Sequence, residues 1–405
     1  MHLRCTDEQC AATCDLHERA VACPVCGELL EVVVDTPQAE PSELKQLWLQ
    51  RKSSYEPRDA SGVWRFREFL PGGYDRVVTM AEGNNPLVAG LKTAEWAGMR
   101  QLQFKHLGWN PTACFKDLGM TVGVTEALFV GAKVVGCAST GNTAASLAAY
   151  AARAGLRARV YLPDGHVSRN KLAQALDFGA EVVSIEGGFD TALDRMLAQA
   201  DCGLYFLNSI NPFRLEGQKM VMFEMLEQLG WRSPDYVIVP GGNLGNSSAF
   251  GKGLRELQAA GLIEKLPRMI VVQAEGANPL ARMWRRGTST LEPVANPETS
   301  ATAIRIGNPR SWKKALRTLQ ETNGFVVDVN DEEIAEAKAM IGRDGIGCEP
   351  ASASTLAALR KLRSQGTLDH EAHVVAILTG HALKDTAFIL NSEMPAAALA
   401  EEAHA

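Results

Sequence analysis

The lysine at position 116 is the first candidate for chemistry, because it lies between Phe115 and Asp117 in the stretch NPTACFKDLGM, just before an apolar segment that predicts a buried helix. Lysines usually lie on a solvated surface, since an ammonium group is costly to bury without a partner. A desolvated lysine, however, has a lowered pKa and can act as an amine nucleophile and base. Lys116 is therefore either a surface residue or a catalytic amine.

Two polar loops that contain glycine could bind an anion or a polar ring. Residues 139–143 (STGNT) follow the apolar run KVVGCA, and residues 241–248 (GGNLGNSS) follow YVIVP. A helical pattern begins after each loop, and the unpaired N–H groups at a helix start favour a phosphate. The second loop matches neither a P-loop nor a dinucleotide site, which implies a phosphate but not a nucleotide. An ordinary N-cap or turn is the alternative for each loop alone.

The third chemical feature is a cluster of cysteines, since five of the nine lie within the first 26 residues, at positions Cys5, Cys10, Cys14, Cys23 and Cys26. The two-residue spacing of Cys23 and Cys26 is typical of half a zinc site. Two of the other three cysteines would complete it, and His2 or His17 could substitute. We expect zinc in a structural role, because four protein ligands leave no open position. A ribbon that has lost its metal is the alternative.

Nine short apolar runs must position these loops: LQFKHL, KVVGCA, RARVYLP, AEVVSI, GLYFLN, YVIVP, RMIVVQA, GFVVDV and HVVAILT. Such runs are typical of strands buried on both faces, and the helical-length segments between most of them are typical of crossover connections. The sequence therefore predicts an α/β fold with parallel sheets, in which ligands bind at the carboxyl ends of the strands.

Composition narrows the class of partner. The chain has 405 residues, of which 46% are hydrophobic and 22% are charged, so it can bury the cores of two domains. Its formal net charge of −6, without a block of Lys and Arg, argues against nucleic acid or an anionic membrane and favours small molecules. Neither a secretory signal nor an apolar run of roughly 18 residues is found, so we expect a cytoplasmic protein with reduced cysteines.

Seven motifs, taken together and in this order, resemble the threonine synthases, which are pyridoxal-phosphate (PLP) enzymes of fold-type II. They are AEGNNPLV, NPTACFKD, ASTGNTAAS, NSINPFRLEGQK, PGGNLGN, CEPASA and LTGHALKD, between residues 81 and 385. The resemblance covers about residues 60–388, and the cysteine-rich start resembles the zinc-ribbon-like N-terminus of some members. It implies two open, mostly parallel-sheet domains of the tryptophan synthase β-like architecture.

We therefore expect five parts in the chain. A zinc-ribbon-like segment (1–35) precedes a bridging segment that joins the large domain (36–100). A small α/β domain (101–210) carries the PLP lysine, a large α/β domain (211–390) carries the PLP phosphate loop, and a tail (391–405) follows.

The resemblance also implies roles for individual residues. Lys116 matches the lysine that holds the cofactor as a Schiff base and then moves protons. Asn142 matches the residue that binds the ring hydroxyl, and Thr379 the one that meets the pyridine nitrogen. A hydroxyl does not enforce a protonated ring, so elimination and replacement are the expected chemistry. The residues that match the cofactor phosphate loop are Gly242, Asn243, Leu244, Gly245 and Asn246.

The implied reaction is a β,γ-replacement that converts O-phospho-L-homoserine and water into L-threonine and phosphate. The substrate phosphate is expected near Thr143, Ser209 and Arg214, with Arg214 as the main anchor because a guanidinium matches a phosphate in shape and charge. The enzyme would be a PLP-dependent carbon–oxygen lyase acting on a phosphate ester, working as a monomer or homodimer.

Four positions depart from the usual family pattern, namely Asn85, Cys114, Leu118 and Met220. A threonine is usual in place of Asn85, whose segment helps to bind the substrate carboxylate in relatives. The alternative is therefore a related PLP lyase, such as a cysteate synthase or a hydroxyamino-acid dehydratase. A PLP-binding relative without turnover is the more distant alternative.

Overall fold

We describe a computed structural model of the chain over residues 1–139, 141–163, 169–186 and 203–393. Thirteen strands form within these ranges: β1 (His2–Cys5), β2 (Thr13–Cys14), β3 (Leu30–Val33), β4 (Leu87–Ala89), β5 (Gln101–His106), β6 (Val134–Ala138), β7 (Arg157–Pro163), β8 (Glu181–Ile185), β9 (Leu204–Phe206), β10 (Tyr236–Pro240), β11 (Arg268–Ala274), β12 (Phe325–Val329) and β13 (His373–Leu378).

The same ranges contain thirteen α-helices: α1 (Pro41–Lys52), α2 (Pro57–Ala60), α3 (Lys92–Ala97), α4 (Lys116–Phe129), α5 (Asn142–Ala154), α6 (Arg169–Asp177), α7 (Pro212–Gln228), α8 (Gly245–Ala259), α9 (Pro279–Arg286), α10 (Trp312–Glu321), α11 (Asp331–Arg343), α12 (Pro350–Ser364) and α13 (Thr386–Glu393).

The largest sheet has six strands in the order β12-β11-β10-β13-β5-β4. Five of its strands are parallel, and only the edge strand β4 runs antiparallel to its neighbour. Its central strands are almost entirely apolar and buried, because helices cover both faces of a parallel sheet. The carboxyl ends of β10 and β13 therefore open toward the loops at residues 241–245 and 379–385.

The second sheet has four parallel strands in the order β8-β7-β6-β9. Its strand β6 pairs with β7 on one side and with β9 on the other. Helix α5 follows β6 and ends at Gly155, whose left-handed φ of 75° suits glycine. The loop between β6 and α5 therefore lies at the carboxyl edge of this smaller sheet.

The N-terminal segment forms a small antiparallel sheet in the order β2-β1-β3. Its buried residues Leu3, Leu30 and Val32 share one apolar core with Trp48 and Phe223. The cysteine-rich segment is thus packed onto α1 and α7, and we call residues 1–35 the ribbon.

Helices α4 and α7 approach each other closely at two glycines, which carry no side chain. A Cβ atom on Gly217 would lie 1.7 Å from the carbonyl oxygen of Leu118, and one on Gly119 would lie 2.9 Å from that of Arg214. Neither position can accept a side chain without moving the backbone. This contact fixes the start of α4, with Lys116, against the start of α7, with Arg214.

The α/β class and the parallel sheets predicted from the sequence are confirmed, and all nine apolar runs form strands. Strand β5, which the predicted boundary at residue 101 groups with the small domain, pairs with β13 in the six-stranded sheet. The domain boundaries themselves stay predictions. Thr140 and most of the predicted tail lie outside the described residues. No helix of the described ranges is both long enough and apolar enough to span a bilayer.

Candidate active site

The loop before Lys116 is tied to the end of strand β13. Phe115 N–H donates to the carbonyl oxygen of Thr379 at 2.9 Å, and His381 N–H donates to that of Ala113 at 3.0 Å. Ala113 has a left-handed φ of 62°, a conformation that costs energy for a residue other than glycine. The structure thus holds Lys116, the first residue of α4, beside the carboxyl edge of the large sheet.

Asp117 anchors the same loop from within. Its buried carboxylate accepts from the backbone N–H of Thr112 at 2.7 Å, from the Thr112 hydroxyl at 2.6 Å and from the Ser146 hydroxyl at 2.5 Å. Ser146 lies on α5, so Asp117 joins the lysine loop to the helix that begins at Asn142.

Lys116 is placed as an amine that loses its proton easily. Its Nζ lies 4.2 Å from the ring centroid of Phe115. No carboxylate among the described residues forms an ion pair with it. Burial, together with the nearby Arg214 guanidinium, lowers the pKa of Lys116 to about 7. A large fraction of the amine is therefore neutral at neutral pH, as a nucleophile or base requires.

Glu349 connects two of the predicted cofactor residues. Its carboxylate accepts from the Asn142 amide at 3.0 Å and from the Thr379 hydroxyl at 2.9 Å. Burial raises the pKa of Glu349. A Cβ atom on Gly380 would lie 2.7 Å from this carboxyl group, so only glycine fits there. Glu349 belongs to the family motif CEPASA, but neither its spacing nor the resemblance indicated a role for it.

Ser352 fixes the orientation of the Thr379 hydroxyl. The Ser352 hydroxyl oxygen accepts from the backbone N–H of Thr379 at 2.8 Å and from that of Gly380 at 3.2 Å. Because it accepts from both, its own hydrogen points to the Thr379 oxygen, 2.9 Å away. The Thr379 hydroxyl then donates to Glu349.

The predicted phosphate loop is shaped to expose polar groups at the start of α8. Leu244 has a left-handed φ of 63° and precedes the first helical residue, Gly245. At the start of the helix, the Asn246 side-chain oxygen and the Ser247 hydroxyl are buried without a hydrogen-bond partner. A Cβ atom on Gly242 would lie 3.1 Å from the carbonyl oxygen of Ala303, so the loop packs tightly. Unpaired polar groups at a helix start fit an anion.

Arg214 is buried, and no carboxylate of the described residues pairs with it. Its side chain is fully buried, with a relative exposure of 0%. One guanidinium nitrogen donates to the carbonyl oxygen of Leu207 at 3.2 Å, whereas Nε and the other terminal nitrogen have no partner. Burial lowers the pKa of Arg214 to about 10, so the group stays charged at neutral pH. A buried charge without a partner is costly, which indicates that a ligand supplies the anion.

The other two predicted substrate residues lie on a loop and on a helix start. The Asn243 amide donates to the hydroxyl of Ser209, which joins the phosphate loop to the segment before α7. Thr143 is the second residue of α5, directly after Asn142, and is half-buried.

Two of the residues that depart from the family pattern, Asn85 and Cys114, are buried. Asn85 is buried, and its carbonyl oxygen accepts from Lys105 Nζ at 2.6 Å and from the Gln228 amide at 2.9 Å. Its side-chain oxygen accepts from Asn110 at 3.0 Å, whereas its Nδ2 has no partner. Burial raises the pKa of the Cys114 thiol to about 11, which makes it a buried apolar residue and not a reactive one.

The ribbon brings together four of its five cysteines. The Sγ atoms of Cys5, Cys10, Cys23 and Cys26 all lie within 4.8 Å of one another, and Cys14 is outside this group. His17 is not needed as a ligand, because its Nδ1 lies 3.0 Å from the Glu126 carboxylate. Four thiols around one point fit a structural zinc ion.

Cys10→Ser should abolish the binding of one zinc ion per chain, whereas Cys14→Ser should leave it unchanged. The physical reason is that three thiols bind zinc much more weakly than four. Zinc content is measured by mass spectrometry after dialysis, and thermal unfolding is followed with and without a chelator. Equal zinc loss in both variants, or none in either, would contradict the four-thiol site.

The sequence of this chain is similar to those of one family of known proteins. The sequence profile of the pyridoxal-phosphate dependent enzymes matches residues 78–380. The chain is 46% identical to the threonine synthase of Methanocaldococcus jannaschii, over 96% of this chain and 94% of that protein. It is 44% identical to the threonine synthase of Methanosarcina acetivorans over the same shares.

Solved structures agree in fold. Threonine deaminase isoform 2 from Solanum lycopersicum superposes with a TM-score of 0.64 at 19% identity, covering 92% of this chain and 96% of that one. O-acetyl serine sulfhydrylase isoform 3 from Entamoeba histolytica gives 0.66 at 17%, covering 81% and 95%. At these identities the likeness shows the fold alone. Together with the relatives of higher identity, it places the chain in the threonine synthase family of pyridoxal-phosphate dependent enzymes.

Proposed function

We propose that this chain converts O-phospho-L-homoserine and water into L-threonine and phosphate, with pyridoxal phosphate as its cofactor. The observation that carries the choice of a phosphorylated substrate is Arg214, a fully buried guanidinium without a counter-charge. This group is close enough to Lys116 to lower the pKa of that amine. An anion of the substrate would thus bind beside the reactive lysine.

The residues present fit the cofactor. Lys116 offers an amine without an ion pair, and the unpaired groups of Asn246 and Ser247 offer an anion site at a helix start. Asn142 and Thr379 would face the ring hydroxyl and the ring nitrogen, because Glu349 holds both. When bound, pyridoxal phosphate withdraws electrons from the α-carbon of an amino acid and so acidifies its C–H bond.

Lys116 supplies the proton transfers in this proposal. As a neutral amine, its Nζ accepts the α-proton of the substrate, passes that proton on, and then accepts a β-proton, after which the γ-phosphate leaves toward Arg214. Nζ returns a proton at the γ-carbon, water adds its hydroxyl at the β-carbon while its remaining proton goes to the released phosphate, and the other removed proton is returned at the α-carbon. The close contact of α4 with α7 keeps the amine and the guanidinium at a fixed separation, which favours the reaction through orientation.

Glu349 would tune the hydroxyl that meets the ring nitrogen. Burial raises the pKa of Glu349, and its carboxylate accepts from the Thr379 hydroxyl at 2.9 Å, so a hydroxyl and not a carboxylate would meet the ring nitrogen. This arrangement suits elimination and replacement, which need a milder electron sink than transamination.

The function is tested with the holoenzyme and O-phospho-L-homoserine. Threonine is followed by chromatography and phosphate by a colorimetric assay, and we expect equal amounts of the two. Phosphoserine with sulfite is the control substrate pair, and it should give no product. Turnover of that pair alone would identify a cysteate synthase, and release of ammonia from threonine or serine alone would identify a dehydratase. A monomeric or homodimeric state and a cytoplasmic location stay predictions.

A further inference from the structure

A second group of buried charges lies apart from the active site, where the ribbon packs on the large domain. It surrounds a cavity of about 10 Å³ between α7, α8, α10 and strand β3. This volume suits one particle of about the size of a water molecule. The charged residues that line the cavity are Glu31, Glu216, Lys252, Arg255, Lys314 and Arg317.

The ammonium group of Lys314 has no partner in this cavity. The Lys314 residue is 6% exposed, and its Nζ has no hydrogen bond. No carboxylate of the described residues lies within 4.0 Å of it, although Glu31 and Glu216 line the same cavity. Burial, together with the nearby Lys252 and Arg317, lowers the pKa of Lys314 only to about 8, so most of it is charged at pH 7.

The carboxylates around Lys314 are already engaged by other cations. Glu31 pairs with Arg4 at 2.7 Å and with Arg317 at 2.9 Å. Glu216 pairs with Lys219 and Lys252. Six cations therefore share four carboxylates in this network, the cations being Arg4, Lys219, Lys252, Arg255, Lys314 and Arg317 and the carboxylates Glu31, Glu216, Glu256 and Glu321.

The positive charge around the cavity lowers the pKa of a carboxyl group that lines it. Burial alone would raise the pKa of Glu31, but Arg317, Arg4 and Lys252 hold it at about 2. A water molecule in the cavity would accept a hydrogen bond from Lys314 but would not offset the excess charge. A small anion would do both.

We propose that this cavity binds a monatomic anion of the halide class, such as chloride, with Lys314 Nζ as its principal donor. The anion would join three helices and the ribbon. Helix α8 carries Lys252 and begins at the cofactor phosphate loop, and α7 begins beside Arg214. Helix α10, with Lys314, follows Arg310, whose N–H donates to the Asn243 side chain at 2.7 Å. Chloride would thus stabilise the helices that carry Arg214 and the cofactor phosphate loop.

Bromide in crystals of the holoenzyme tests the site directly. We expect an anomalous scattering peak inside the cavity, within hydrogen-bond distance of Lys314 Nζ. The Lys314→Met variant, which keeps the length of the side chain but removes the charge, should show no peak there. A water molecule in the cavity of the wild-type crystals would leave this position without an anomalous signal.

Thermal unfolding of the holoenzyme tests the same site in solution. Potassium chloride and potassium gluconate are compared at equal ionic strength, since gluconate is too large for the cavity. Chloride should raise the Tm of the wild type by roughly 1–3 °C and then saturate. Lys314→Met should lose this response, whereas Lys313→Met should keep it. Lys313 is the matched control, because it lies on the same helix but pairs with Glu28 outside the cavity.

An empty cavity in the bromide crystals would overturn the proposal. So would a chloride response that is missing from the wild type, or one that is unchanged in Lys314→Met. A chloride response lost equally in both lysine variants would point to general screening of the ribbon interface and would likewise overturn it.

Discussion

Replacing Lys116 with alanine is expected to lower the rate of threonine formation by roughly 10⁴-fold or more, because the same amine holds the cofactor and moves the protons. Burial and Arg214 bring the pKa of this lysine to about 7, so a large fraction of the amine is neutral and able to accept a proton at neutral pH. The variant should also lose the covalent link to the cofactor. Mass spectrometry after borohydride reduction detects that link in the wild type.

Two further variants make the Lys116 test specific. Lys116→Arg keeps a positive charge but removes the reactive amine, since a guanidinium stays protonated in proteins. It should be as inactive as the alanine variant. Lys133→Ala removes an exposed lysine and should retain wild-type activity. Substantial activity in Lys116→Arg would show that the lysine supplies only charge, and the proposed role would be wrong.

Arg214→Met should lower kcat/KM for O-phospho-L-homoserine by roughly 10²- to 10³-fold, because the leaving phosphate loses a buried cation. The same variant should not lose stability. Arg214 has no carboxylate partner, so removing it takes away an unpaired buried charge. Its Tm without substrate should therefore equal or exceed that of the wild type. Kinetic assays and thermal unfolding of the holoenzyme measure the two effects.

Arg65 is the matched control for this pattern. It is equally buried but pairs with Glu227 at 2.7 Å, so Arg65→Met leaves a carboxylate without its partner and should lower the Tm. Inorganic phosphate gives a further comparison, since it should raise the Tm of the wild-type holoenzyme but not that of Arg214→Met. A loss of stability in Arg214→Met as large as that in Arg65→Met would assign Arg214 a structural role.

The two variants also separate the proposed reaction from that of a hydroxyamino-acid dehydratase. A lyase that does not use a phosphorylated substrate needs Lys116 but has no use for a buried, unpaired guanidinium. In such an enzyme Arg214→Met would change the activity little. The proposed reaction requires both residues, and the loss should be larger for Lys116 because it acts at the reacting atoms.

Much of the fold followed from local sequence patterns. The nine apolar runs all form strands, because strands covered by helices on both faces must be apolar along their length. Loops that follow such strands carry the ligand-binding groups of parallel sheets, and this marked residues 139–143 and 241–248 as candidate ligand-binding loops. The family motifs then supplied the cofactor and the reaction.

Tertiary structure alone decided which side chains meet. Cys14 and Cys10 look alike in the sequence, but only Cys10 lies with Cys5, Cys23 and Cys26. Glu349 lies 207 positions after Asn142 and 30 positions before Thr379. Nothing in the sequence indicates that it joins these two residues.

Tertiary structure also decides which buried charges have no partner of opposite charge. That Arg214 and Lys314 are buried without a carboxylate depends on every neighbour that the folded chain brings to them. Apolar periodicity is a local property, so the sequence by itself determined the strands, the family and the reactive lysine. The partners of a buried charge are set by crossovers and helix packing over long distances, and only the tertiary structure decided them.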